Sequence, residues 1–335
     1  MATLSVKNPT LMDLATAMDP NGNVADVVEI LSEENEILED MTWLEGNLPT
    51  GHTGTVRTGI PEPTWRKMYG GVQPNKSSYA KITDNCGMLE AYAEVDKALA
   101  DLNGNSQAFR LQEDRAHIEG LNQEIAETLF LGNEATEPES FTGFAPRFNT
   151  LSGANNSENV IDGGAAGGQT DCASIWLIVW SPQTVHGIVP KGSKAGLQMH
   201  DLGEVTIENV DGNGGRMQAY RTHYRWDAGL HVRDWRYVVR IANIDRSTLT
   251  KDASAGADLI DLMTSAEERL PNIRMGRPAW YMDRDIRAWL RKQRTNKTLN
   301  ATITEDKVAG RRVVAFNDIP VRRVDKLSAD EARIS

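Results

Sequence analysis

The amino-acid sequence predicts an α+β protein that combines one long helix, extended arms and a strand-rich second half. Residues 106–132 keep apolar side chains at helical spacing for roughly six turns, at about 3.6 residues per turn. Residues 46–84 are rich in Gly, Pro and Thr, which is typical of a projecting arm rather than of a core. Beyond residue 150, short apolar runs between turn signals predict strands without the alternating rhythm of a βαβ protein.

The composition is that of an ordinary globular protein. Of 335 residues, 40% are hydrophobic and 25% are charged. No run approaches the roughly 20 apolar residues that span a bilayer, and we see no signal-peptide pattern. Cys86 and Cys172 lie far apart without CxxC spacing, so we expect two reduced, buried thiols. These features predict no membrane association and folding in a cytoplasm.

The first 50 residues predict an acidic arm. We expect a short helix over Leu11–Met18 and small amphipathic pieces over Val24–Leu31 and Ile37–Leu44. Such pieces bury little surface alone, so the arm should lie on its own body or on a neighbour. In the Gly-rich segment that follows, strands are predicted at His52–Thr58 and Ser78–Thr83, separated by a loop too long for a tight hairpin.

Two helices are predicted next. The first covers residues 87–102, and its apolar face comprises Met88, Tyr92, Val95, Leu99 and Leu102. The second begins near Asn105-Ser106 and ends at Gly132-Asn133, a typical helix stop. Its apolar stripe comprises Ala108, Leu111, Ile118, Leu121, Ile125 and Leu129. We interpret FTGFAPRF (residues 141–148) as a structural corner without chemistry.

The second half predicts mainly strands. Ala173–Trp180 is a continuous apolar run and should be a buried strand. A turn-rich connection should follow it over residues 181–197. Further strands are expected at Val205–Val210, Met217–Tyr224, Trp235–Ile244, Arg312–Ile319 and Val321–Val324, and helices at Ala255–Leu270 and Met282–Arg294.

The segments that could carry chemistry are near misses. GIVPKGSK (residues 187–194) has the wrong order for a phosphate-binding loop, and DGNGG (residues 211–215) is too short for a calcium loop and predicts a hairpin turn. His223 and His231 flank two aspartates, but their spacing matches no standard metal site. No GxSxG elbow is present. We therefore predict no catalytic, cofactor-binding or metal-binding residue, and no enzyme.

Charge is distributed unevenly along the chain. Residues 1–140 contain 24 acidic and 9 basic residues, a net charge of -15, whereas the remainder carries +4. Arginines alternate with Tyr and Trp over residues 216–240, and a second basic group lies at 274–294. Such residues bind nucleic acid, but they also pair with carboxylates of a neighbouring subunit. Because the protein is acidic and has no recognition motif, we favour inter-subunit contacts.

Five segments together carry a resemblance to a known family. They are CGMLEAYAEVDKALADLNGN, ETLFLGN, FTGFAPRF, IWLIVWSPQTVHGIVPKGSKAGL and VVAFNDIPVRRVD. The chain resembles, along its whole length, the major capsid proteins of tailed double-stranded DNA phages with the HK-97-like fold, and especially those of epsilon-15-like short-tailed phages. Each segment is a weak signal alone, and the combination is specific.

The resemblance implies an architecture. It comprises an N-terminal arm (1–50), an extended β-loop (51–84), a peripheral domain with a spine helix (85–149), a mainly axial domain (150–310) and a C-terminal strand returning to the peripheral domain (311–335). It also implies self-assembly into hexamers and pentamers of an icosahedral head, with T=7 expected, that matures from a procapsid. The implied partners are a scaffolding protein, a portal, an optional decoration or cement protein, and packaged double-stranded DNA bound non-specifically. The location implied is the virion, assembled in the host bacterial cytoplasm.

Inter-subunit contacts are expected in the extended loop and in the Arg-rich strands. The candidates are Arg57, Trp65, Arg66, Lys76, Lys81, Arg225, Arg233 and Arg236. Some relatives crosslink Lys to Asn between subunits, but no partner Asn or catalytic Glu can be identified for Lys67, Lys76 or Lys81. We therefore expect a non-covalent shell. We also expect the acidity of residues 1–50 to be paired or turned away from the genome, which it would repel.

Two alternatives remain at this stage. An encapsulin-type nanocompartment has the same fold and encloses protein cargo instead of DNA. A soluble carbohydrate- or nucleotide-processing enzyme could use the Gly-rich loops, but it needs a pocket with convergent titratable groups that the sequence does not reveal.

Overall fold

The computed structural model describes residues 35–101, 106–208, 215–253, 255–296, 303–308, 311–327 and 330–335. The predicted pieces at 11–18 and 24–31, and most of the DGNGG turn, lie outside these residues. The helices are α1 (Ile37–Asp40), α2 (Lys97–Asp101), α3 (Ser106–Leu131), α4 (Leu259–Glu267) and α5 (Arg284–Asn296). The strands are β1 (Trp43–Glu45), β2 (Gly51–Gly59), β3 (Ser78–Asp96), β4 (Val160–Asp162), β5 (Cys172–Trp180), β6 (Val185–Val189), β7 (Gln198–Glu208), β8 (Arg216–Val232), β9 (Val238–Asp245), β10 (Arg277–Met282), β11 (Ile303–Val308), β12 (Arg311–Phe316) and β13 (Ile319–Arg323).

The chain forms two compact units, each made from separated segments. The smaller contains residues 88–125 and 194–227, and the larger contains residues 35–87, 126–193 and 228–335. Since β3, α3 and β8 each begin in one unit and end in the other, the units do not follow the chain order of the five predicted segments. The division into arm, loop, peripheral and axial domains stays a prediction.

The core of the larger unit is built on β5. All nine of its residues are buried, and it pairs antiparallel with β9 and β10. β10 pairs in parallel with β13, and β12 and β11 continue the sheet beyond it. Ile175, Leu177 and Val179 face the apolar sides of α4 and α5. The continuous apolar run therefore forms a strand covered on both faces, as predicted, and the α+β class is confirmed.

Aromatic side chains cover the other face of β5. Phe130, at the end of α3, and Phe144 lie with ring centroids 6.0 and 5.8 Å from Trp176. Phe148 meets the same ring edge-on at 6.1 Å. The FTGFAPRF segment thus turns the chain from α3 onto the sheet, which confirms its interpretation as a corner.

The smaller unit has its own compact contacts. β7 and β8 form an antiparallel hairpin whose register runs from Gln198 opposite Arg225 to Glu208 opposite Arg216. Leu121 of α3 packs with Ala93 and Tyr224. A second apolar group joins Val95, Ala100 and Phe109.

The prediction of a helix over residues 87–102 is wrong for most of its length. The strand β3 continues to Asp96, and only Lys97–Asp101 is helical. Leu89, Ala91, Ala93 and Val95 alternate inward along this strand. The sequence satisfies both a period of 3.6 and a period of 2 here, and packing of the alternating set against α3 and β8 favours the strand.

The long helix is confirmed, but its stripe differs from the predicted one. Leu121, Ile125 and Leu129 are buried, whereas Leu111 is 54% and Ile118 38% exposed. Other boundaries also move. The connection predicted as turn-rich contains β6, β7 begins seven residues before the predicted strand, and α4 is shorter than expected at both ends.

Candidate assembly surfaces

The extended loop is a two-stranded ribbon with a long irregular tip. β2 and β3 pair from Gly51 opposite Asn85 to Gly59 opposite Ser78. The hydroxyls of Thr58 and Ser78 lie 3.0 Å apart at the outer end. Residues 60–77 contain neither helix nor strand. This confirms the two predicted strands and the long connection between them.

The tip exposes large apolar side chains. Trp65 and Tyr69 are fully exposed, and Met68 and Ile60 are 88% and 81% exposed. Isolated apolar residues are common on surfaces, but four of this size within ten residues form a patch that water solvates poorly. Burial against another protein surface would recover on the order of 25 cal/mol per Å² of apolar area. The tip therefore has the character of a docking element.

The predicted contact residues of the loop are all exposed. Arg66, Lys76 and Lys81 have no ion-pair partner within the described part of the chain. Arg57 lies over the Tyr79 ring, 5.4 Å from its centroid, and donates to the Tyr79 hydroxyl at 3.3 Å. Three cations thus remain available beside the apolar tip, and the fourth stiffens the ribbon.

More of the arginines in the Arg-rich strands have ion-pair partners in their own chain than expected. Arg225 Nε lies 2.9 Å from the buried carboxylate of Asp227, and Arg236 makes a two-pronged pair with Asp234. Arg233 is exposed. Arg225 and Arg236 therefore have carboxylate partners in their own chain, and of these three only Arg233 presents a guanidinium without an ion pair in the described residues.

Sequence reasoning missed the network that holds the base of the loop. The Asp84 carboxylate, on β3, binds Arg147 Nη1 at 2.9 Å and His231 Nδ1 at 2.7 Å. Arg147 also donates to the carbonyls of Thr142 and Gly143. Burial raises the pKa of Asp84, but the hydrogen bond from His231 and the charge of Arg147 outweigh it and lower the pKa below its usual value. In the sequence, the one indication of this network is Arg147, the single charged residue of the FTGFAPRF segment.

The segment that partly resembles a phosphate-binding loop forms a structural turn. In GIVPKGSK the Gly192 amide donates to the Glu45 carboxylate at 2.9 Å, and the Ser193 amide donates to the Pro190 carbonyl. An amide that already binds a carboxylate of its own chain is not free to cradle a phosphate.

A cavity beside the corner also lacks catalytic character. It has a volume of about 510 Å³, and Arg147 is the only ionisable residue that lines it. The convergent acid, base or nucleophile expected of an active site is therefore missing from this cavity.

His223 and His231 have separate partners. His223 stacks on Tyr92 at 4.5 Å and lies 3.4 Å from Glu90, in the smaller unit. His231 belongs to the larger unit and is bound to Asp84.

Among the described residues, no helix combines the length and the apolar character needed to cross a lipid bilayer.

Comparisons with known proteins give a family and a relative of known structure. A family described as Major capsid protein GP7 matches residues 19–335. The solved structure of bacteriophage Epsilon15 is similar, with 39% sequence identity and a TM-score of 0.77, over 100% of this chain and 99% of that chain. No curated protein matches the chain.

Two other solved structures show a weaker likeness. The capsid of bacteriophage JBD30 has 10% identity and a TM-score of 0.47, over 97% of this chain and 100% of that chain. The SrpI encapsulin of Synechococcus elongatus PCC 7942 has 10% identity and a TM-score of 0.40, over 66% of this chain and 93% of that chain. Both TM-scores lie below 0.5, so neither likeness indicates a shared function.

Proposed function

This chain belongs to the family of major capsid protein GP7, and on that premise we propose that its copies form the hexamers and pentamers of an icosahedral phage head around double-stranded DNA. The 39% identity to Epsilon15 over the full chain supports the phage shell over an encapsulin. The family is one of structural capsid proteins of phage virions, so the protein is not an enzyme.

The exposed tip of the extended loop is the observation that supports assembly most directly. A closed shell requires one chain to make several different contacts, and a projecting ribbon provides one at little cost to the core. We propose that the tip, with Trp65, Met68 and Tyr69, packs on a neighbouring subunit. Arg66, Lys76 and Lys81 then pair with acidic groups at the rim of that contact, and Arg233, which lies near His52 at the base of the loop, pairs at a separate contact.

The remaining partners follow from the same role. We propose a scaffolding protein and a portal during assembly, a decoration protein as an optional addition, T=7 geometry, and maturation from a procapsid in the bacterial cytoplasm. Contact with packaged DNA is non-specific. The resemblance supports these partners, and each is testable by co-expression.

Assembly can be tested by removing the two fully exposed aromatic side chains. The protein is expressed with its scaffolding protein and imaged by negative-stain electron microscopy. We expect wild type to form closed shells and the double variant Trp65→Ser/Tyr69→Ser to remain as soluble, folded subunits, because both side chains are free of intrachain packing. The matched control is Leu111→Gln, which removes an apolar side chain that is 54% exposed on α3.

The outcomes separate two claims. Wild-type chains that persist as monomers with the scaffolding protein present would overturn assembly itself. Normal shells from the double variant would retain assembly but overturn the role of the loop tip. Circular dichroism of the variant confirms that its subunits are folded.

A further inference from the structure

Three histidines meet at the base of the extended loop, all within the larger unit. His52 lies on β2, His186 on β6 and His231 on β8, and the last two are directly opposite each other in the β6–β8 ladder. The ring centroids are 4.6 Å apart for His52 and His231, 5.2 Å for His186 and His231, and 5.8 Å for His52 and His186. One ring nitrogen of each residue lies within 4.8 Å of the other two.

Two of the histidines are buried, His52 is half-buried, and all three have unpaired ring nitrogens. His186 is 1% and His231 0% exposed. Both ring nitrogens of His186, Nε2 of His231 and Nδ1 of His52 are buried without a hydrogen-bond partner. The Ser181 backbone lies near His186, but neither ring nitrogen meets hydrogen-bond geometry. Each buried unpaired polar atom loses its hydrogen bonds to water without replacing them, so four in one cluster require an explanation.

The surroundings of His231 resemble those of a metal-bound imidazole. Its Nδ1 is held by the Asp84 carboxylate at 2.7 Å, which orients the ring and leaves Nε2 available. A carboxylate on the far nitrogen is the usual outer partner of a ligating histidine. Arg147 fixes that carboxylate from the other side at 2.9 Å.

The backbone of Gly54 lies close to the His231 ring on the side of Nε2. A Cβ atom on Gly54 of β2 would lie 2.7 Å from His231 Nε2 and 3.0 Å from Cε1. Any other residue at this position would occupy the space next to the free nitrogen. Glycine is therefore the residue that avoids a clash with Nε2 at this position.

We propose that His52, His186 and His231 bind one divalent transition-metal ion of the Zn²⁺ class through one imidazole nitrogen each, with a fourth position open to water. Imidazole suits Zn²⁺, Ni²⁺ and Cu²⁺, whereas Mg²⁺ and Ca²⁺ require oxygen ligands that this group lacks. Zn–N bonds of about 2.0–2.1 Å place tetrahedral nitrogens about 3.4 Å apart, so nitrogens that lie within 4.8 Å of one another must draw together when the ion binds.

The local charge adds selectivity to this site. Arg233 interacts electrostatically with His52 and His186, and Arg147 is already paired with Asp84. Positive charge nearby disfavours a cation held only by electrostatics. A metal ion that forms strong bonds to imidazole nitrogen can overcome this repulsion, so such an ion is the expected ligand.

The bound ion would join three strands that hold the loop to the sheet. β6 and β8 are neighbours in the ladder, while His52 comes from the ribbon that carries the exposed tip. A metal would therefore fix the base of the ribbon to the body of the larger unit. The inference stands on this geometry and does not depend on the assembly role.

The test uses the full-length chain, stripped of metal and titrated with Co²⁺ and with Zn²⁺. With Co²⁺ we expect the visible absorption of a four-coordinate ion. With Zn²⁺ we expect about one ion per chain after gel filtration, measured by inductively coupled plasma mass spectrometry. His186→Gln and His52→Gln should each lower the Zn²⁺ affinity at least tenfold. His52 is the less buried of the two, so its variant is the safer for folding. His200→Gln, at an exposed histidine on β7, is the matched control and should bind as wild type does.

Two results would overturn the site. One is wild-type protein that takes up neither Co²⁺ nor Zn²⁺, and the other is equal uptake by wild type and both cluster variants. If neither variant folds, wild type alone decides. A four-coordinate Co²⁺ spectrum and a melting temperature that rises with Zn²⁺ and falls again with EDTA support the site, and their absence rejects it.

Discussion

At the scale of single residues, the buried ion pair of Arg240 illustrates how the second half of the chain is held together. Arg240 Nη2 binds Glu331 Oε2 at 2.6 Å, Nη1 donates to the Phe148 carbonyl at 2.7 Å, and Nε donates to the Ser174 hydroxyl at 3.1 Å. Arg240 and Glu331 are both nearly excluded from solvent. One guanidinium thus connects β9, β5, the aromatic corner and the C-terminal segment.

Removal of this guanidinium should be costly. Arg240→Leu leaves the Glu331 carboxylate buried without its partner, and we expect a loss of about 3–5 kcal/mol in the free energy of unfolding. Urea denaturation of unassembled subunits, followed by Trp fluorescence, measures it. The control is Arg246→Leu, which breaks an exposed pair with Asp285 and should cost at most about 1 kcal/mol. Equal losses in both variants would contradict the assigned role.

At the scale of elements, the junction between α3 and the corner depends on close backbone approach. A Cβ atom on Gly143 would lie 2.5 Å from the Thr128 carbonyl oxygen and 2.7 Å from that of Leu129. The Phe144 amide donates to the same Leu129 carbonyl at 3.0 Å. Glycine is required here because backbone atoms cannot move aside as a flexible side chain can.

This junction gives a prediction with an internal control. Gly143→Ala should destabilise the subunit by about 1–3 kcal/mol, the range expected of an overpacked site. Gly120→Ala lies within α3 with nothing in contact range of its added methyl group, and it should stabilise by about 0.5–1 kcal/mol through helix propensity. Thermal unfolding of the two variants side by side measures both. A neutral Gly143→Ala would show that the corner can relax.

The strand at residues 87–96 shows how an element escapes prediction. Its apolar residues fit a helix face and a strand face equally well. Leu89 and Ala91 pack beside Ala93, Leu121 and Tyr224, and that contact set exists only when the segment is extended. No local signal in the sequence distinguishes these outcomes.

At the scale of the whole molecule, the shell is expected to hold without covalent bonds. Lys67, Lys76 and Lys81 are exposed on the extended loop, as ordinary solvated lysines are. The apolar tip supplies binding energy through burial alone. Assembled particles boiled with detergent and reductant should therefore run as one band near the subunit mass of 37.0 kDa. A ladder of multiples would instead demonstrate crosslinks.

Several elements of the fold and the family can be predicted from the sequence alone. The α+β class, the long helix, the buried strand β5 and the loop strands follow from periodicity and turn signals, which are local properties. The FTGFAPRF corner and the exposed loop tip follow for the same reason. The combination of motifs also indicated the capsid family, which the match over residues 19–335 shows.

Tertiary structure alone decided the rest. It joins His52, His186 and His231, which lie far apart in the chain, and it pairs Asp84 with Arg147. The physical reason is that sheet pairing sets such neighbours through long-range register, which spacing along one chain does not encode. No metal site was predicted because the histidine nearest to His231 in the sequence is His223, and their spacing matches no standard site. In the folded chain the β6–β8 ladder instead places His231 opposite His186.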